Sequence, residues 1–262
     1  MQEQYASPTR YQLANGLTVI LQEEHSAPVV ALNIWIKAGG VNETDAEAGL
    51  SHVLEHMLFK GTSSRAVGQI AREVESVGGE LNAYTTHDYT VYHVVLASRF
   101  LDTGLEVLAD AVQHSTLDEE ELRKEIEVVV EEIKRGRDIP TRQLSDSVFS
   151  TSYRSHPYGR PVIGTEEVVR SLSRQTVLSY YGRWYVPGNM TLVIVGDFDT
   201  GSLRAKVAEA FEGFSAQGVP PLDIPAEAPQ QGVRMTMLRD EVNETRVELA
   251  FHIPGVHSED LF

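Results

Sequence analysis

The sequence predicts an α+β protein in which helices cover a mixed β-sheet. Segments rich in β-branched and aromatic residues occur near the start of the chain, in its first half and again near position 195. Between these segments, apolar residues recur with the spacing of amphipathic helices. The composition, 42% hydrophobic and 23% charged over 262 residues, is that of a globular protein that buries a core.

The predicted sheet begins early in the chain. An Asn-Gly turn signal lies between apolar residues in segment 11–21, and the apolar run 29–38 is predicted as a further strand. The strand-rich segment 81–97 and the buried strand 191–198 complete the sheet. Apolar spacing predicts helices over 46–59, 66–77, 100–113, 118–135, 141–152, 165–170, 173–185 and 201–212.

A change in composition marks a domain boundary. Prolines and small polar residues dominate segment 215–232, which is typical of a linker. We therefore predict an α+β domain over 1–214, a linker over 215–232 and the incomplete start of a second, similar α+β domain over 233–262. Within that start, strands are predicted over 233–239 and 245–253.

Charge and residue content limit the possible partners. The formal net charge of -16, from 22 basic and 38 acidic residues, disfavours nucleic acid and anionic membranes as partners. No apolar run is long enough to span a bilayer, so we expect a soluble protein, cytoplasmic or periplasmic. Because the chain has no cysteine, disulfides, thiolate ligands and a cysteine nucleophile are excluded. A bound metal must be held by histidine and carboxylate side chains.

One predicted helix carries a potential metal motif. The segment GLSHVLEHMLFKGT places His52 and His56 four residues apart, so both side chains share one helix face with Glu55. Neutral imidazoles suit Zn²⁺, and a carboxylate beside the ion can accept a proton from water. The alternative is that these residues form the polar face of an ordinary amphipathic helix.

A catalytic zinc site usually takes three protein ligands, so a third ligand must come from elsewhere in the chain. The predicted helix DEEELRKEIEVVVEEIKRGRD offers several carboxylates. Glu125 and Glu132 border its apolar stripe, whereas Glu131 points away from it. Because they lie two turns apart, one of them could bind the metal while the other steadies the site. A solvated acidic flank is the alternative interpretation.

These motifs resemble the insulinase-type (M16) metallopeptidases, the family of pitrilysin and the mitochondrial processing peptidase. HVLEHMLFKGT is similar to that family's inverted zinc motif, and Glu125 with Glu132 to its downstream acidic signature. The resemblance implies that His52, His56 and Glu132 hold one zinc ion per chain, that Glu55 is the general base and that Glu125 supports the site. It also implies a metallopeptidase domain of the pitrilysin and processing-peptidase type.

Other segments extend the resemblance over nearly the whole chain. GGELNAYTTHDYTVY is similar to the family's substrate-binding strand, which implies that Asn82, Ala83 and Tyr84 bind substrate backbone. Edge-strand packing is the alternative role for these three residues. HPYGRPVIGT and NMTLVIVGDF also resemble family segments. Since family members combine two homologous halves, activity is expected to need a second peptidase-like half, from a longer chain or from a partner in a homo- or hetero-oligomer.

The predicted function is that of a zinc-dependent endopeptidase acting on extended peptides. A lyase related to S-ribosylhomocysteine lyase is one alternative, but the metal site of that enzyme uses cysteine, which this chain lacks. A second alternative is a non-catalytic scaffold or assembly subunit of a peptidase-like complex. The complete set of His52, Glu55, His56 and Glu132 favours the peptidase, because a scaffold has no need for it.

Overall fold

A mixed β-sheet organises the computed structural model, which describes residues 7–256, 258 and 259. In this part of the chain the sheet has six strands, in the spatial order β1-β2-β6-β3-β5-β4. Only β2 and β6 pair in parallel, and every other neighbouring pair is antiparallel. The strands are β1 (Thr9–Gln12), β2 (Thr18–Glu23), β3 (Val29–Ile36), β4 (Glu80–Thr85), β5 (Thr90–Ala97) and β6 (Met190–Gly196).

Eight α-helices lie among the described residues, and the sheet buries one of its faces more completely than the other. The side chains of β3 alternate between full burial and partial exposure, because successive residues point to opposite faces of the sheet. None of the described helices is both long and apolar enough to cross a lipid bilayer. The helices are α1 (Leu50–Leu58), α2 (Gln69–Ser76), α3 (Leu101–His114), α4 (Glu119–Arg137), α5 (Pro140–Ser152), α6 (Glu166–Ser171), α7 (Arg174–Trp184) and α8 (Thr200–Phe211).

The predicted α+β class and the order of the elements are confirmed. Segment 11–21 lies within the β1–β2 hairpin, and segment 81–97 within the β4–β5 hairpin. Helix α1 begins later than predicted, because residues 45–47 form a separate 3-10 turn. Gly49 then starts α1 with a φ of 97°, where an added Cβ would approach Ile163 O to 2.7 Å. Only glycine fits this left-handed, crowded position without strain.

The predicted strands over 233–239 and 245–253 are wrong for the described structure. Neither segment forms a strand, and side chains such as Val233 (95% exposed) and Phe251 (82% exposed) are unpacked. An alternating apolar pattern yields a stable strand only where a neighbouring strand supplies hydrogen bonds, and none of the six described strands pairs with these segments. The division into 1–214, 215–232 and 233–262 stays a prediction, and 257 and 260–262 lie outside the described residues.

Helix α1 contributes one whole face to the core. Five of its nine residues are fully buried and belong to the main hydrophobic cluster: Leu50, Val53, Leu54, Met57 and Leu58. The apolar stripe of α4 joins the same cluster through Leu122, Val129, Val130 and Ile133. Because α1 contacts both α4 and β4, its polar face is placed where these two elements meet.

Leu54→Ala is expected to lower the free energy of unfolding by about 2–5 kcal/mol, because it leaves a cavity behind the polar face of α1. Urea denaturation of the purified chain measures the change. Leu249→Ala is the matched control, since that leucine is 80% exposed and its truncation should change stability by less than about 0.5 kcal/mol. Equal losses for the two variants would show that α1 is not packed as described.

Candidate metal centre

Three potential metal ligands from two helices converge beside β4. The Nε2 atoms of His52 and His56 each lie 3.8 Å from Oε2 of Glu132. One donor atom from each of these residues lies within 4.8 Å of the other two. Donors around a tetrahedral zinc ion, at bond lengths of about 2.0–2.1 Å, are about 3.4 Å apart. The donor types and their spacing therefore fit zinc with small side-chain movements.

Helix periodicity and the core explain this convergence. His52 and His56 are one turn apart on α1, and their ring centroids are 4.8 Å apart. Glu132 comes from α4, whose apolar stripe packs in the same core as α1. The side chains are 14%, 22% and 31% exposed for His52, His56 and Glu132, so the cluster is partly buried and remains accessible to solvent.

A hydrogen bond that His56 donates to Glu125 on α4 orients the His56 ring. Its Nδ1 lies 3.2 Å from Oε2 of Glu125, whose other oxygen lies 2.6 Å from Nζ of Lys60. A carboxylate only accepts, so Nδ1 carries the proton and Nε2 is directed to Glu132. The bond to Glu125 raises the pKa of His56. Burial raises the pKa of Glu125, but hydrogen bonds from His56 and Lys60 outweigh it and the pKa is lowered, so Glu125 remains an anion.

His52 has a different environment. Its Nδ1 is buried and has no hydrogen-bond partner among the described residues. Burial, together with repulsion from His56 and Arg142, lowers the pKa of His52 to about 3. The imidazole is therefore neutral near pH 7, which is the state that binds a metal ion.

Glu55 lies beside this cluster and is held by a neighbouring strand. Thr85, the last residue of β4, donates a hydrogen bond of 2.6 Å to Oε2 of Glu55. Burial raises the pKa of Glu55, and the nearby Glu132 acts in the same direction. This carboxyl group is close enough to both His56 and Glu132 for each to affect its titration.

The predicted substrate-binding residues lie on an edge strand. β4 pairs with β5 alone, so its other edge is free of strand partners in the described chain. Ala83 shares the α1-facing side of β4 with Thr85, whereas Asn82 and Tyr84 alternate to the opposite side, where Tyr84 meets Trp35 at 6.4 Å between ring centroids. Of these three residues, only Ala83 has its side chain on the side of the strand that faces α1, and Thr85 links the end of the strand to Glu55.

Several residues that shape the site escaped sequence analysis. Lys60 lies one helical turn beyond His56, and Thr85 lies two residues beyond Ala83 on the same side of the strand, so their spacing offered a signal. Arg142 approaches Glu132 from α5, with Nη1 3.8 Å from Oε1. A local sequence pattern cannot predict this contact, because Arg142 and Glu132 lie on different helices.

Comparison with known proteins defines the class. A sequence model described as insulinase (peptidase family M16) matches residues 18–166, and one described as peptidase M16 inactive domain matches 171–262. The fold and the first matched model are those of a zinc metallopeptidase family, and the His-His-Glu cluster that could hold a metal lies within the residues matched by that model. The chain belongs to peptidase family M16, the insulinase family, and the resemblance found in the sequence is confirmed.

Relatives carry peptidase names. An uncharacterised zinc protease of Bacillus subtilis is 35% identical over 209 residues, which cover 80% of this chain and 51% of that protein. A probable mitochondrial-processing peptidase subunit beta of Arabidopsis thaliana is 29% identical, covering 91% of this chain and 45% of that protein. The crystal structure of a Helicobacter pylori protease superposes with a TM-score of 0.84 at 27% identity, covering 88% of this chain and 56% of that one. The chain spans about half the length of the curated relatives it matches.

Glu132→Gln is expected to weaken zinc affinity by about 100-fold or more, beyond the 10- to 100-fold typical of outer-shell partners, because it removes a charged ligand. Competition with a chromophoric chelator measures the dissociation constant. Glu131→Gln is the matched control: this neighbouring glutamate is exposed and pairs with Lys134, so the affinity should not change. Similar losses for both variants would remove Glu132 from the ligand set.

Proposed function

We propose that this chain carries the zinc centre of an endopeptidase that hydrolyses peptide bonds in extended peptides, with one zinc ion per chain. The observation that supports this most strongly is the convergence of His52, His56 and Glu132, in which both Nε2 atoms lie 3.8 Å from Oε2 of Glu132. Glu55 lies beside this cluster. Two imidazoles and one carboxylate that are accessible to solvent are the donor set of a hydrolytic rather than a structural zinc site. The peptidase names of the relatives agree with it.

A zinc ion bound here would supply a Lewis acid for the scissile carbonyl and would lower the pKa of the attacking water. Glu55 acts as the general base of the proposed reaction. Its Oε2 is engaged by Thr85, so Oε1 is left to take a proton from the water as the water oxygen bonds to the carbonyl carbon. Glu55 then delivers that proton to the departing amine as the C–N bond breaks.

The remaining contacts hold these groups in position. Glu125 and Lys60 fix the tautomer and direction of His56, which keeps its Nε2 facing Glu132. Arg142 approaches the outer oxygen of Glu132, which leaves Oε2 directed at the two imidazoles. A scaffold subunit is the weaker proposal, because burying these polar groups costs free energy that an apolar cluster would avoid.

The free edge of β4 supports a mode of substrate binding. An extended peptide can add there as a further strand, hydrogen-bonded to the backbone of Asn82, Ala83 and Tyr84. Main-chain bonding makes few demands on sequence, and Thr85 ties the end of this strand to Glu55. Substrate and base are then positioned by one element, which brings the scissile bond to the cluster.

The rest of the active enzyme is a proposal as well. Because the relatives are about twice as long, we propose that activity needs a second peptidase-like half, from the same polypeptide or from a partner subunit. The net charge of -16 suggests a preference for basic peptides, since a cleft of one sign concentrates the opposite sign.

Glu55→Gln is expected to retain zinc and lower kcat by about 100- to 10,000-fold, the usual contribution of a general base. The assay is cleavage of a quenched fluorescent peptide by the protein together with its second half. Glu75→Gln, at an exposed position on α2, serves as the control and should keep full activity. A Glu55→Gln variant with a normal kcat would show that another group takes the proton from the attacking water.

Peptides methylated on backbone nitrogen test the strand addition. In an added strand only alternate N–H groups face β4, so methylation at one set of alternate positions should raise KM roughly tenfold for each lost hydrogen bond. Methylation at the other set, which faces away, is the built-in control and should change KM little. A KM that responds equally to both sets, or to neither, would contradict binding to this edge.

A further inference from the structure

We propose that Glu43 is a positioning residue that fixes the first turn of α1, and through that turn His52, for metal binding. The inference rests on the proposed zinc site. It concerns a residue in the loop between β3 and α1, outside the set of proposed ligands.

The start of α1 lacks a cap of its own. Gly49 occupies the N-cap position and has no side chain to accept a hydrogen bond. The first N–H groups of a helix have no partner within the helix, and a terminus without a cap frays readily. Something outside the helix must satisfy these donors, because Leu50 and Ser51 are buried and cannot rely on water.

Glu43 supplies the missing acceptor. Its Oε2 accepts a hydrogen bond from Gly49 N at 2.9 Å, and its Oε1 accepts one from Ser51 N at 2.6 Å. Both oxygens of this carboxylate are therefore used on the first turn of α1. A negative charge at a helix N-terminus is further stabilised by the helix dipole.

The surroundings hold Glu43 in place. Arg160 donates to the backbone oxygens of Glu43, at 2.6 Å, and Gly40, at 3.1 Å, which anchors the loop. Tyr180 lies 2.7 Å from Oγ of Ser51 and secures the same turn from α7. Glu43 is only 6% exposed, and burial raises its pKa to about 7 even though the two N–H groups and Arg160 favour the anion. Burying a carboxyl group lowers stability unless hydrogen bonds compensate the lost hydration. The two N–H groups at the start of α1 supply those hydrogen bonds here.

His52 is the ligand that depends on this turn. It is the third residue of α1 and directly follows Ser51. His56 is oriented by Glu125, but Nδ1 of His52 has no hydrogen-bond partner among the described residues. Without a side-chain partner, the direction of the His52 ring is set by packing and by the position of its backbone. Glu43 controls that backbone position.

The test compares Glu43→Gln with Glu47→Gln in the purified chain. Gln cannot accept from both N–H groups without turning its NH2 group toward one of them, so one bond is lost. Glu47 belongs to the same loop, where its carboxylate accepts hydrogen bonds from Thr44 and Arg183, and among the described residues none of its side-chain hydrogen bonds goes to α1. It is therefore a matched control with the same chemical change.

Two measurements are made on each variant: hydrogen exchange of the Gly49 and Ser51 amides without metal, and zinc affinity by chelator competition. We expect Glu43→Gln to speed exchange of these amides and to weaken zinc binding by about tenfold, the lower end of the range for supporting residues. Glu47→Gln should leave both values within about twofold. Val207→Ala, a fully buried change on α8, controls for general destabilisation and should not weaken zinc binding.

Unchanged exchange and affinity in Glu43→Gln overturn the proposal, and so does faster exchange with normal affinity. A loss of affinity equal to that of Val207→Ala also overturns it, because the effect would then be one of global stability. If Glu43→Gln does not fold, Glu43→Asp, which keeps the charge but is one methylene shorter, must show the same two changes. Failure of the wild-type chain to bind zinc refutes the metal site itself, which is a different result from normal binding by both proteins.

Discussion

The packing of α1 against α4 is the constraint on which the site depends. The apolar faces of both helices enter one core, so their polar rows meet at the edge of that core beside β4. Fully burying an aliphatic side chain contributes about 1.5–3 kcal/mol, and α1 alone buries five. This gain offsets the cost of holding two imidazoles and several carboxylates in a partly buried cluster. Hydrophobic packing of the two helices therefore brings the proposed metal ligands together.

Polar contacts then complete the geometry in unequal ways. His56 is directed by a chain of charged groups, Glu125 and Lys60, that comes from outside its own helix turn. His52 has no such chain, and its placement follows from the start of α1, where Glu43 takes the place of a helix cap. Glu55 is tied to the strand proposed to bind substrate. Helix α4 thus orients His56, the loop before α1 positions the turn that carries His52, and β4 holds Glu55.

Short-range patterns explain what the sequence could predict. The spacing of His52, Glu55 and His56 needs only the periodicity of a helix, and the structure places these residues as that periodicity requires. Helical periodicity also selected Glu125 and Glu132. It could not decide which of them lies next to the imidazoles, because that depends on the position of α4 relative to α1 along the helix axis. The family resemblance supplied the choice, and the structure puts Glu132 nearest both Nε2 atoms.

Contacts between distant segments explain what the sequence could not predict. Arg142 and Glu43 reach the site from a second helix and a loop, and nothing local in their neighbourhoods indicates these contacts. Thr85 reaches it from the end of β4, where only the alternation of the strand gave a signal. The strand prediction for segments 233–239 and 245–253 was wrong because a local pattern that suits a strand does not supply a neighbouring strand to pair with. Local sequence thus specifies the elements, and tertiary contacts decide which residues surround the proposed metal site.

The position of bound zinc tests this account most directly. Anomalous diffraction at the zinc edge, on crystals of the zinc-loaded chain, locates the ion without assumptions about its ligands. We expect one peak at about 2.0–2.1 Å from Nε2 of His52, Nε2 of His56 and a carboxylate oxygen of Glu132. A peak elsewhere, or an ion held by the two histidines with Glu132 turned away, would contradict the central claim.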